Sequence, residues 1–99
     1  MPNKMIVVCQ KWEESERGWG TRPDGYSLHL TESSRQAFCQ EYWDKMPQFA
    51  PDEYSREDGR PYFVKVTEKV FTEIKKSKNV IQCFGSPPVG LDGQPGPDG

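Results

Sequence analysis

The chain has little of what catalytic and metal sites are usually made of. It contains one histidine and three cysteines in 99 residues, and Cys9, Cys39 and Cys83 stand far apart without a Cys-x-x-Cys pair. Zinc ligands commonly come in close pairs, so the sequence argues against a metal site. It also lacks a glycine-rich phosphate loop with a lysine and an ordered Ser/His/Asp set. It therefore predicts a protein that is not an enzyme and has no cofactor. An acid–base pair of Asp24 and His29 is the catalytic alternative.

Apolar residues are also few, and no apolar run is long. Only 33% of the residues are hydrophobic, and the run at residues 5–9 is too short for a signal-peptide core or a membrane span. We therefore expect no membrane segment, and the odd, widely spaced cysteines favour reduced thiols in the cytoplasm. Aromatic residues make up 12% of the chain and must provide much of a small core. A homo-oligomer would bury more apolar surface.

Neither sign of charge is in large excess. The chain has 13 Lys and Arg residues against 15 Asp and Glu residues, which gives a net charge of −2. Non-specific binding to nucleic acid needs a strongly basic surface, so we expect no such partner. A local group of arginines that binds a small anion is compatible with this balance.

Four apolar segments and two helical patterns alternate along the chain. The predicted strands are residues 5–9, 26–30, 62–66 and 80–84. Thr31 and Thr67 are predicted N-caps of the two helices, each followed by a glutamate in the first turn. The order ββαβαβ predicts one α+β domain over residues 1–84. It would have two layers, with a four-stranded, mostly antiparallel sheet and both helices on one face. The Gly- and Pro-rich residues 85–99 are predicted to be a disordered tail.

Residues 13–25 are predicted to form a long polar loop between the first two strands. The sequence Arg-Pro-Asp-Gly at 22–25 is typical of a turn, which would fix the direction of the arginine side chain. Guanidinium groups match phosphates, and an indole can stack on a base. Candidate ligand-binding residues here are Arg17, Trp19, Arg22 and Asp24. The alternative is that Trp19 covers the core while the arginines pair with neighbouring glutamates.

His29 is predicted to lie on the outward face of the second strand. Tyr26, Leu28 and Leu30 alternate with it and are expected to face the core. A solvated side chain is expected at such a position, and a ligand contact beside the loop is the alternative.

A second polar connection, residues 48–61, contains Tyr54, Arg56 and Arg60. Like the first, it leads into a strand that opens on a tyrosine. If the two strands are neighbours, four arginines could line one rim of the sheet. The alternative is that each arginine pairs with an adjacent carboxylate, and surface pairs of this kind contribute only about 0–1 kcal/mol.

The sequences RGWG at 17–20 and RPDGYSLH at 22–29 resemble small proteins of bacteria and their phages. The resemblance continues through YWDKMP at 42–47 and PDEYSR at 51–56, and it covers most of the chain except the tail. That group has no established activity. The resemblance therefore implies a phage or mobile-element accessory protein and assigns no functional residue.

Two hypotheses of function follow from these patterns. The first is a non-catalytic binding protein, an anti-defence accessory of a phage or mobile element, that sequesters a small anionic ligand such as a nucleotide or cyclic nucleotide signal. Its ligand-binding residues would be Arg17, Trp19, Arg22, Asp24, His29, Tyr54, Arg56 and Arg60. The alternative is a protein-binding inhibitor or adaptor of a host enzyme, which would use Trp19 and the acidic stretches of the two connections.

Overall fold

The structure, a computed structural model, describes residues 4–16, 20–46 and 53–90. Its elements are β1 (Lys4–Glu16), β2 (Thr21–His29), α1 (Glu32–Lys45), β3 (Glu53–Glu57), β4 (Tyr62–Thr67), α2 (Glu68–Lys76) and β5 (Val80–Cys83). The predicted α+β class is confirmed, as are the four predicted strands and both helices. Among the described residues, no helix is long and apolar enough to cross a membrane.

Strand β1 is the centre of an open, antiparallel, five-stranded sheet. Along one edge it pairs with β2, and β5 pairs with the far side of β2. Its other edge is shared, because β4 pairs with the first half of β1 and β3 with the second half. Thirteen residues of one strand therefore organise three neighbouring strands.

The two helices cover opposite faces of this sheet. On one face, Val7 and Cys9 of β1 form the core with Ile74 of α2. On the other face, the Trp12 ring lies against Phe38 of α1, with centroids 6.3 Å apart. Neighbouring side chains in a strand alternate between faces, so β1 supplies both layers. The expected placement of both helices on one face is therefore wrong, and the sheet lies between them.

The predicted long loop at residues 13–25 is also wrong in extent. Strand β1 continues to Glu16 and β2 begins at Thr21, so most of the predicted loop is a hairpin. The cross-strand pairs here are Glu13–Pro23, Glu14–Arg22 and Ser15–Thr21. They show no alternation of apolar residues, so the sequence pattern does not reveal the pairing.

The predicted turn at residues 22–25 is a bulge within β2. Lys11 pairs with Tyr26 but Glu13 pairs with Pro23, so β2 has one residue more than β1 at this point. Gly25 has φ +77°, and a Cβ atom there would lie 2.3 Å from the Cys83 carbonyl oxygen. Glycine is required because the β5 backbone passes so close to it.

Strand β3 was not predicted, since its sequence EYSRE contains one aromatic residue and no alternation of apolar residues. The predicted helix starts are confirmed. Thr31 forms a capping box with Ser34, and the Thr67 hydroxyl accepts a hydrogen bond from the Val70 amide. After α2, Asn79 adopts a left-handed backbone conformation, with φ +69°.

The first six residues of the predicted tail are described and have no regular secondary structure. Here the Tyr62 hydroxyl donates a hydrogen bond of 2.7 Å to the Pro88 carbonyl. The rest of the tail, residues 91–99, lies outside the described residues, so its predicted disorder stays a prediction.

Candidate functional site

The structure does not bring the predicted arginines of β2 and β3 together. Arg22 Nη2 lies 2.8 Å from Glu14 Oε2, and Arg56 Nε lies 2.6 Å from Glu13 Oε1. Glu13 and Glu14 are consecutive residues of β1, and consecutive strand residues point to opposite faces. The two guanidinium groups therefore lie on opposite sides of the sheet, each paired with a glutamate as the alternative interpretation expected.

Two other predicted ligand-binding residues, Arg17 and Trp19, lie outside the described residues. Tyr54 lies on β3, and its ring packs edge-on against Trp43 of α1, with centroids 6.2 Å apart. This contact makes Tyr54 part of the packing between the helix and the sheet.

Asp24 and His29 have separate hydrogen-bond partners. Asp24 accepts a short hydrogen bond from the Ser55 hydroxyl. The His29 Nε2 atom lies 2.7 Å from Ser27 Oγ, which also accepts a 2.8 Å bond from the Trp12 indole N–H. Within the described part of the chain, no hydrogen bond joins Asp24 to His29, so these contacts give the proposed acid–base pair no support.

The expectation that His29 is solvated is wrong, because α1 covers its face of the sheet. The side chain is 0% exposed, and its ring centroid lies 5.3 Å from that of Phe38. Its Nδ1 atom is buried and has no hydrogen-bond partner among the described residues. Burial, followed by the positive charge of Arg35, lowers the pKa of His29 to about 4. His29 is therefore a neutral core residue at pH 7.

One predicted arginine, Arg60, lies in a groove between α1 and the connection from β3 to β4. The groove has a volume of about 500 Å³. It is named the Arg35–Arg60 groove after the two guanidinium groups that line it. Its other polar and aromatic lining includes Gln10, Gln36, Gln40 and Trp43.

Arg35 is held in place by three neighbours. Its Nε atom forms a short ion pair with Glu32, and Nη1 donates to Gln10 Oε1 at 3.3 Å and to Cys39 Sγ at 3.6 Å. Gln10 is itself buried, and its Nε2 donates to the Gly59 carbonyl at 3.1 Å. These bonds use Nε and Nη1, so Nη2 has no partner among the described residues and can bind a ligand.

Arg60 supplies the second positive charge. It is exposed and forms no hydrogen bond or ion pair with another residue of the described ranges. The groove also contains the Glu57 carboxylate, which accepts a 2.6 Å bond from the Trp43 indole N–H. The lining residues carry two guanidinium groups and one carboxylate, and a second carboxylate, that of Glu32, is paired with Arg35 beside the groove.

Cys39 is the thiol in this groove. Burial, then the negative charge of Glu57, raises the pKa of Cys39 to about 11. The thiolate is the nucleophilic form of cysteine, so Cys39 is protonated and unreactive at neutral pH.

Sequence reasoning missed Arg35, Trp43 and Gln10 as site residues. Arg35, Cys39 and Trp43 are spaced i, i+4, i+8, which places them on one face of a helix. That spacing could have linked the arginine to the indole. The approach of Arg60 and Gln10 to this face depends on the β3–β1 pairing, which the sequence pattern did not reveal.

Comparisons with protein-family models, with curated proteins and with solved structures found no match for the chain. Across residues 4–16, 20–46 and 53–90, no group of three or more His, Cys, Asp or Glu side chains could hold a metal ion.

Proposed function

We propose that the protein is a non-catalytic binding protein for a small anionic ligand of the nucleotide class, which binds in the Arg35–Arg60 groove. The observation that carries this proposal is the meeting of two guanidinium groups from separate segments beside the Trp43 indole. The proposal keeps the predicted combination of arginines beside an indole. Of the ligand-binding residues predicted from the sequence, however, only Arg60 lines this groove.

The groove offers distinct partners for a phosphate and for a base. Arg60 and Nη2 of Arg35 are charged donors that suit phosphate oxygens. Gln36 and Gln40 are exposed on the same helix face, and their amides can donate to and accept from a base edge. Trp43 adds an aromatic surface for stacking.

The two carboxylates beside the two arginines disfavour a highly charged ligand. Glu57 offsets one of the two arginines, and Glu32 is paired with Arg35 at the side of the groove. A nucleoside monophosphate or a cyclic mononucleotide matches this balance better than a triphosphate does.

A protein that binds a nucleotide without converting it acts by lowering the free concentration of that nucleotide. The titratable groups support binding without proton transfer, since the Cys39 thiol is protonated at pH 7. Sequestration of a signalling nucleotide is the form of activity that suits the phage accessory role implied by the resemblance.

The protein-binding alternative has less support from the geometry. Glu13 and Glu14 are strand residues paired with arginines, so they do not form a free acidic stretch. Its other anchor, Trp19, lies outside the described residues.

Isothermal titration calorimetry against a panel of nucleoside monophosphates and cyclic mononucleotides tests the proposal. We expect one member of the panel to bind, and Arg60→Ala to weaken it by roughly 10- to 100-fold, the effect of losing a charged hydrogen bond. Arg22→Ala and Arg56→Ala are matched controls, because these arginines lie outside the groove, and they should leave affinity unchanged.

Two results would overturn the groove assignment. The first is that no nucleotide in the panel binds at millimolar concentration. The second is that Arg22→Ala or Arg56→Ala weakens binding as much as Arg60→Ala does. Arg35→Lys, which keeps the charge and removes the planar fork, separates bidentate recognition from simple charge attraction.

A further inference from the structure

A second, smaller cavity lies on the α1 face of the sheet, apart from the arginines. It has a volume of about 140 Å³, below the usual range for drug-sized ligands. Four aromatic side chains line it: Trp12, Phe38, Tyr42 and Phe84. Tyr26 also borders it, but its side chain packs against the core on the α2 face. It is named the aromatic pocket.

The rings of the aromatic pocket stand at steep angles to one another. Trp12 meets Phe38 at 80° with centroids 6.3 Å apart, and it meets Tyr42 at 65° with centroids 5.4 Å apart. Rings arranged in this way form the walls of a corner, so that a bound group can touch more than one ring. The face of an aromatic ring is electron-rich and attracts cations.

The polar edges of these rings already have partners. The Trp12 indole N–H donates to Ser27 Oγ at 2.8 Å, and the Tyr42 hydroxyl donates to the Ser55 carbonyl at 2.6 Å. What these two rings offer to a ligand is therefore their π surface rather than a hydrogen-bond donor.

Asp24 is the one charged side chain among the described residues that line the aromatic pocket. The Ser55 hydroxyl donates a short hydrogen bond to its Oδ2 atom, which fixes the carboxylate. Burial first, and then the negative charges of Asp24 and Glu57, raise the pKa of Tyr42. The Asp24 carboxylate therefore places a negative charge beside the rings, which disfavours an anion.

We propose that the aromatic pocket binds the head group of an organic cation, a methylated ammonium group, with the rings against its methyl groups and Asp24 as the counter-charge. A quaternary ammonium is weakly hydrated and has no N–H to satisfy, so ring faces and one carboxylate are sufficient partners. Phe84 is 85% exposed at this pocket, and contact with a ligand would cover it.

The same head group occurs on a free metabolite and on a methylated lysine side chain. Tetramethylammonium and choline serve as probes for the first source, and a short peptide carrying trimethyllysine serves for the second. Tighter binding of the peptide than of choline would assign the pocket to a protein ligand, and the reverse order would assign it to a small molecule.

Binding is measured by NMR titration of the full chain. We expect choline to bind and its neutral isostere, 3,3-dimethyl-1-butanol, to bind at least roughly fivefold more weakly, because the cation–π and charge terms are lost. Asp24→Asn keeps the size of the side chain and an oxygen that accepts the hydrogen bond from Ser55. It should weaken choline binding by roughly tenfold, because the negative charge is lost.

Phe84→Ala is a second variant that leaves the core intact, since Phe84 is largely exposed. It should weaken choline binding several-fold. Phe63→Ala is its matched control, because Phe63 is also exposed, at 55%, but does not line the pocket. The proposal fails if choline and the neutral isostere bind equally, if neither methylammonium source binds at millimolar concentration, or if Asp24→Asn has no effect.

Discussion

At the scale of the residue, His29 shows how one buried side chain makes stability depend on pH. Its pKa falls from an ordinary 6.5 to about 4 because burial disfavours the charged form. In the unfolded chain the same imidazole takes up a proton below pH 6.5. Between pH 6.5 and pH 4 the unfolded state therefore binds more protons than the folded state, and stability falls as the pH falls.

We expect the titration of His29 to lower the free energy of unfolding by about 2–3 kcal/mol when the pH falls from 7 to 4.5. The measurement is urea unfolding of the natural chain and of His29→Gln at both pH values. Carboxylates titrate in both proteins, so the difference between the two isolates the histidine. Parallel loss of stability in the two proteins would show that His29 is not the group responsible.

At the scale of the element, β3 is an edge strand that depends on α1. The Tyr42 hydroxyl donates to the Ser55 carbonyl at 2.6 Å, and the Trp43 indole N–H donates to Glu57 at 2.6 Å. These two bonds attach the C-terminal half of the helix to β3, whose other neighbour is the polar end of β1.

Removing both bonds with the double variant Tyr42→Phe, Trp43→Phe should loosen β3 without unfolding the sheet. Each bond contributes about 1 kcal/mol, so hydrogen exchange of the β3 amides should accelerate by roughly 10- to 30-fold, while the β4 amides keep their protection. Tyr62→Phe is the control, because it removes a hydroxyl bond from β4 instead. Equal acceleration of β3 and β4 would contradict this local attachment.

The same elements show how far the sequence could predict the fold and the site. Apolar runs and caps at Thr31 and Thr67 identified four strands and both helices, because those signals are local. The ends of β1 and β2 and all of β3 were missed, since their pairing joins Glu13 to Arg56 and Glu14 to Arg22 rather than apolar residues. Arg60 was predicted as a site residue from its chemistry. Its position beside Arg35 and Trp43 could not be predicted, because it depends on the tertiary pairing of β3 with β1.

At the scale of the whole molecule, β1 supplies side chains to the layers on both faces of the sheet. Val7 and Cys9 face the Ile74 side, and Gln10 and Trp12 face the α1 side. A continuous β-branched run suits a strand that is buried on both faces. Because one strand contributes to both layers, we expect a substitution that destabilises one layer to destabilise the other as well.

Ile74→Ala tests this coupling from the side of α2. Ile74 is 0% exposed, so its truncation should lower the free energy of unfolding by about 2–5 kcal/mol. The probes are far-UV circular dichroism for the whole chain and tryptophan fluorescence for Trp12 and Trp43, in a Trp19→Phe background. Both transitions should move together, as two-state unfolding requires.

Ile6→Ala is the control, because Ile6 is 53% exposed and its truncation should lower the free energy of unfolding far less. A fluorescence transition that keeps its midpoint while the circular dichroism transition shifts would show that the α1 layer folds without the α2 layer.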